Sequence, residues 1–182
     1  MRIGSEYYGG TQGTDGEAST HENPPAGIYQ AVLAKVADVG THSGRSPEDK
    51  DRHKVVVAFE LVRDVVKAKD WRDSKGRRAV VFKDYNLSLF KKEDKPTAHF
   101  RILLDTVLPD LVEHMMKEEG DVDTSAWEGK PCLVTIESSG KFPKVKAVMA
   151  SEEAGLKAEG KYDTPFGLWK YLLESAKVPP AK

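Results

Sequence analysis

The sequence predicts an α+β protein, mainly β strand with one central helix and a short helix near its C-terminal end. Three observations carry that reading. Apolar residues alternate with others in several short runs, the period of a strand. Between the third and fourth runs the period changes to that of a helix. Clusters of glycine, proline and charged residues separate the runs, as turns do.

The elements follow in order. Residues 1–23 read as a flexible tail, because Gly9-Gly10-Thr11-Gln12-Gly13-Thr14-Asp15-Gly16 has no apolar period to bury. Asn23-Pro24-Pro25-Ala26-Gly27 breaks the chain. A first strand then runs from Ile28 to about Val36, with Tyr29, Ala31 and Leu33 on one face. Residues 40–53 read as a long loop. The second strand spans Lys54 to Arg63, where Val55, Val57, Phe59 and Leu61 alternate with Val56, Ala58 and Glu60. A charged connection, 64–76, leads to a third strand from Arg77 to Phe90, with Phe82 facing the core and Lys83 and Tyr85 facing out.

Pro96-Thr97 starts the helix, with Thr97 as its cap. Phe100, Leu103, Leu104, Val107, Leu108, Leu111 and Met115 make its core-facing stripe. Pro109 kinks it and Gly120 ends it. Lys130 to Glu137 and Lys144 to Ala150 are the last two strands, joined by a hairpin turn at Ser138-Ser139-Gly140-Lys141. Residues 151–163 read as a polar linker, and Thr164-Pro165 opens an amphipathic helix to about Ala176. The chain thus divides into a tail (1–23), a body (24–150) and a linker with a helix (151–182).

Of 182 residues, 39% are hydrophobic and 31% charged, the balance of a soluble chain. Its apolar runs are far shorter than the roughly 20 residues that span a membrane. Its first residues lack the apolar stretch of a signal peptide. A single cysteine, Cys132, forms no internal disulfide, so a cytoplasmic location is expected. The formal net charge is −1, but residues 51–100 carry 13 Lys and Arg against 8 Asp and Glu, a net of +5. A basic segment of this size points to a polyanionic partner.

Three strands, a helix and a final hairpin is the order of the OB-fold, a five-stranded barrel with a helix between strands 3 and 4. It binds oligonucleotides through strands 2 and 3 and the loops between strands 1–2 and 4–5. Here the basic segment coincides with those strands. Single-strand binding needs cations that follow phosphates and flat rings on which bases stack. The candidate cations are Arg45, Lys54, Lys67, Lys69, Arg72, Lys75, Arg77, Arg78, Lys83, Lys91, Lys92, Lys141, Lys144 and Lys146. The candidate rings are Trp71, Tyr85, Phe90 and Phe142, with Trp71 exposed in its charged loop.

A family resemblance joins this reading. Pro25-Ala26-Gly27-Ile28-Tyr29 opens the first strand. Gly76-Arg77-Arg78 leads into Val81-Phe82-Lys83-Asp84-Tyr85-Asn86-Leu87. After the helix comes Trp127-Glu128-Gly129-Lys130-Pro131-Cys132-Leu133-Val134. Together, over about residues 24–150, these resemble the bacteriophage single-stranded-DNA-binding proteins of replication and recombination gene clusters. The resemblance implies an OB-type fold, sequence-tolerant binding of single-stranded DNA, and no catalysis; replication or recombination proteins and a second copy of the chain are candidate partners, in a host cytoplasm. Many single-strand binders end in an acidic tail, whereas this chain ends in Lys177-Val178-Pro179-Pro180-Ala181-Lys182.

Other chemistry finds little footing. Gly40-Thr41-His42-Ser43-Gly44-Arg45-Ser46 is one residue short of a phosphate-binding loop and has arginine where lysine is needed. His21, His42, His53, His99 and His114 form no metal-spaced pair, and one cysteine builds no thiolate site. Asp49/Asp51 and Asp121/Asp123 would be ligands of a metal-dependent nuclease, but they lie in polar loops and read as solvated turns. No cofactor, metal or enzymatic activity is expected. The alternative reading is a protein-interaction module, for example a phage inhibitor of a host enzyme. It would dock a partner through Phe166, Trp169 and Leu173 of the last helix.

Overall fold

The proline break at residues 24 and 25 releases the chain into β1, Gly27–His42. This is a computed structural model, and it describes residues 23–44, 46, 48–87, 91, 92, 95, 96, 98–107, 109, 127–138 and 143–180. β1 runs to His42 rather than stopping near Val36, because its partner β2, Arg52–Asp64, continues alongside it to the pair His42↔Arg52. Gly40, which looks like a loop signal in the sequence, sits in a register shift at φ 80°. Its amide donates to Asp38 Oδ1 at 2.7 Å. The glycine marks an irregularity within a strand, not its end.

Both edges of the β1–β2 pair are extended. On the β2 side lie β3, Lys69–Asp70, which pairs with Arg63 and Asp64, and β4, Val80–Asn86, which pairs with Lys54 to Glu60. β3 was not expected inside the charged connection. On the β1 side lies β7, Lys130–Ser138, and β8, Pro143–Ala150, follows it. Every pairing is antiparallel, and the path reads β3–β2–β1–β7–β8 with β4 also on β2. A second small ladder joins β5, Lys91–Lys92, to β6, Lys95–Pro96. The sheet is not closed into the expected five-stranded barrel. β4 and β8 approach within 8 Å in Cα separation, yet no ladder joins them among the described residues.

One face of the sheet holds the main core. Tyr29, Leu33, Val57, Phe59, Leu61, Val81, Val134 and Ile136 point into it. Helix α1, His99–Val107, closes it with Phe100, Leu103 and Leu104. Trp127 completes an aromatic chain, with ring centroids 5.9 Å apart from Tyr85 to Phe100 and 5.8 Å from Phe100 to Trp127. Each fully buried side chain of this size contributes roughly 1.5–3 kcal/mol. The expected continuation of the helix to Gly120 lies outside the described residues, apart from Pro109.

The opposite face is also covered. Residues 151–180, expected as a linker and a helix left open between packing on the barrel, self-association and partner docking, lie across β1, β2 and β4 as a strap. Helix α2, Gly167–Ser175, packs Leu168, Trp169 and Leu172 onto Ala34, Ala37, Val39, Val56, Ala58, Val80 and Phe82. Phe82 therefore points to this second layer, while Tyr85 turns into the main core. That is the reverse of the expected orientation. With both faces apolar, alternation has no polar side to mark which way is out.

The strap is fixed along its length. Ser151 Oγ and buried Gln30 are 3.0 Å apart, and Gln30 Nε2 donates to the Cys132 carbonyl. Midway, the amides of Glu159 and Gly160 donate to the Glu60 carboxylate at 2.8 and 2.9 Å. At the far end, Thr41 N donates to Val178 O and Lys177 N to Thr41 O, both at 2.8 Å. This contact requires glycine at position 40, where a Cβ would meet Val178 O at 2.3 Å.

Candidate nucleic-acid interface

The cation-rich edge is built by two tight turns beyond β2. Asp64, 5% exposed, accepts the amides of Val66 and Lys67 through Oδ1, each at 3.0 Å, and so folds the β2–β3 turn. Backbone hydrogen bonds from Lys67 hold its carboxyl below the usual carboxylate range against the upward push of burial. The turn raises Val65 and Val66 to the surface beside Lys67 and Lys69. The second turn is organised by Asp73. Its Oδ1 accepts the amides of Lys75 and Arg77, and its Oδ2 accepts two hydrogen bonds from the Arg77 guanidinium at 2.9 and 2.7 Å. Burial pushes the Asp73 carboxyl up, but the hydrogen bonds from Arg77 outweigh it and the net shift is down. Gly76 takes the left-handed backbone that closes this turn, at φ 75°.

Lys67, Lys69, Trp71, Arg72, Lys75, Arg77 and Arg78 all lie on this connection between β2 and β4. Their state is less open than expected. Arg72 binds Glu159 with both nitrogens, at 2.9 and 2.8 Å. That bond raises the Arg72 guanidinium and lowers the Glu159 carboxyl from their ordinary values. Arg78 reaches Glu60 and Glu159, each at 3.1 Å. Lys67 lies 3.4 Å from Asp64. Lys69 and Lys75 carry no ion pair among the described residues. Trp71 is half-buried and packs on the main core, so it is not a freely exposed ring.

The other candidates scatter. Lys54 pairs with Asp84 at 2.7 Å. Lys83 is half-buried with its Nζ 5.3 Å from the centroid of the Tyr85 ring, and desolvation lowers its pKa. Tyr85 itself is 5% exposed, so it belongs to the core and presents no stacking face. Lys91 and Lys92 form β5, away from the main sheet's ladders. Lys144 and Lys146 are exposed on β8, and Lys146 pairs with Glu137 at 3.2 Å. Arg45, Phe90, Lys141 and Phe142 lie outside the described residues. The proposed docking stripe is also spent internally. Trp169 is 7% exposed, Phe166 meets Phe82 edge-on at 5.2 Å, and Leu173 packs on the same layer.

Three acidic partners escaped the sequence reading. Glu153 binds Arg63 at 2.5 Å, Glu159 binds Arg72 and Arg78, and Glu60 is 1% exposed under the strap. Beyond the two amides, Glu60 accepts the Tyr162 hydroxyl and Arg78. Burial first, and then that hydrogen bond, push the Tyr162 phenol above its ordinary value. Glu60 had a readable signal: it is the one charged residue in Val55-Val56-Val57-Ala58-Phe59-Glu60-Leu61-Val62.

Among the described residues, no group of three or more His, Cys, Asp and Glu side chains is arranged to hold a metal ion. None of their helices is long and apolar enough to cross a membrane. The fold and the edge define the class: an α+β protein whose antiparallel sheet carries a cluster of cations at one margin. The chain matches no protein-family model, no curated protein and no solved structure.

Proposed function

We propose that this protein binds single-stranded DNA without sequence preference and without catalysis, protecting strands exposed in phage replication or recombination. The sheet is read as the wall of an OB-type barrel. β1 joins β2 on one side and β7 on the other, α1 lies between β4 and β7 in the chain, and β4 and β8 border the open seam.

The observation that carries the proposal is the edge beyond β2. Residues 67–78 place six Lys and Arg side chains on two turns, around one tryptophan. On an OB-type wall this is the connection between strands 2 and 3, whose face binds oligonucleotides. Lys69 and Lys75 are the cations available at once. Stacking falls to Trp71 through its exposed part, each stacked base contributing roughly 1–3 kcal/mol.

Fluorescence anisotropy with a labelled strand of about 30 nucleotides tests this, a length covering sites of roughly 4–16 nucleotides per OB fold. Binding that weakens with salt and prefers the single strand to duplex of equal length is the expected result. No binding at low salt, or equal affinity for duplex, would overturn it.

A further inference from the structure

Glu159 holds a position on the basic edge that suits an oxyanion of another kind. Its carboxylate takes both arms of Arg72, at 2.9 and 2.8 Å, and stands 3.1 Å from Arg78 Nη2. Planar guanidinium forks of this sort fit phosphate as well as carboxylate. The Glu159 side chain is 49% exposed, whereas the backbone beneath it is pinned by two amides to Glu60. The side chain is therefore free to swing into water while the strap stays in place.

The clamp is also incompletely satisfied. Arg78 Nε is buried and has no hydrogen-bond partner among the described residues. A buried donor left unpaired is costly, and a ligand with an additional acceptor removes that cost. Arg77 and Arg78 line a cavity of about 280 Å³ together with the carboxylates of Glu60 and Glu159. A phosphodiester offers two free oxygens and two bridging ones, more acceptors than the carboxylate it would replace.

We propose that Arg72 and Arg78 form a backbone-phosphate site, and that Glu159 is its resident competitor, displaced one side chain at a time when a single strand binds. This rests on the single-strand reading above. It assigns the chain a built-in weakening of affinity: every strand must exchange a phosphate for a carboxylate already in the clamp.

The test is Glu159→Gln, which keeps the shape and removes the charge. Affinity for a labelled oligothymidylate is expected to rise about five-fold at low salt, the ratio equivalent to a good exposed ion pair. The salt dependence should steepen by at most about 0.7 in log–log slope, because no displaced carboxylate is left to recapture a counterion. Glu152→Gln removes the same charge from an exposed strap residue with no ion pair among the described residues, and should leave affinity within about two-fold. In an Arg72→Ala background the gain from Glu159→Gln should shrink, because only Arg78 is then left for Glu159 to occupy. Inorganic phosphate alone, at concentrations where the oligonucleotide saturates, should not shift the melting temperature.

If wild type binds the strand but Glu159→Gln binds no better, the clamp proposal fails and the single-strand reading stands. Equal gain from Glu152→Gln, or stabilisation by inorganic phosphate alone, overturns it in the same way. If neither wild type nor Glu159→Gln binds at low salt, both readings fall.

Discussion

Glu60 ties the second layer together at the level of single residues. It is 1% exposed and accepts from Arg78, Tyr162 and two backbone amides of the strap. Glu60→Ala removes one partner from a buried charged cluster, so it should lower the unfolding free energy by about 3–5 kcal/mol. Urea denaturation measures this, and a loss under about 1 kcal/mol would mean the cluster is not jointly satisfied. The tyrosines give a second residue-scale prediction. Burial raises Tyr29 to about 12 and lifts Tyr85 and Tyr162 above their ordinary 10.0. The folded state thus favours the neutral phenol. Its contribution is complete below pH 10 and is lost as pH climbs through the raised values. In an alkaline titration followed by tyrosinate absorbance, these three of the six tyrosines should ionise only as the protein unfolds. Ionisation of all six near pH 10 with the fold intact would contradict their burial. Glu60 illustrates what was legible at this scale. A lone carboxylate in an apolar strand announces a buried partner, but the strap groups that meet it lie about a hundred positions away, beyond the reach of local pattern.

Among the elements, the strap decides most. Its helix was legible from the spacing of Phe166, Trp169, Leu172 and Leu173; the surface it covers was not. The clue was the unbroken apolar run at 55–59, which marks a strand buried on both faces. It also explains why Phe82 and Tyr85 take the sides opposite to those that simple alternation predicts. Removing residues 164–182 should uncover Val39, Val56, Ala58, Val80 and Phe82, so the truncated chain should aggregate rather than yield a clean body. Light scattering after mild heating reads this directly. A monodisperse truncated chain as stable as wild type would show that the second layer contributes little. Trp169→Ala is the milder version, with an expected loss of roughly 3–5 kcal/mol. β3 and the turns at 64–77 were unreadable for another reason: two-residue ladders have no period, and side-chain carboxylates rather than sequence repeats fold these turns.

For the whole molecule, strand order was the legible part, because strands and one helix announce themselves by period. Closure was not, since it depends on how β4 and β8 meet across the seam. The basic edge was legible as composition, but its ion pairing was not. Lys67, Arg72, Arg77 and Arg78 are matched by Asp64, Glu159, Asp73 and Glu60, which leaves Lys69 and Lys75 as its unpaired cations among the described residues. The central claim is that this edge follows the phosphates of a single strand. The most direct measurement is the salt dependence of oligonucleotide affinity for wild type and for Lys69→Ala/Lys75→Ala, two exposed positions whose loss should spare the fold. The account predicts weaker binding for the double variant and a log–log salt slope shallower by about 1.4, roughly 0.7 for each lysine. An unchanged slope and affinity in the double variant would contradict it.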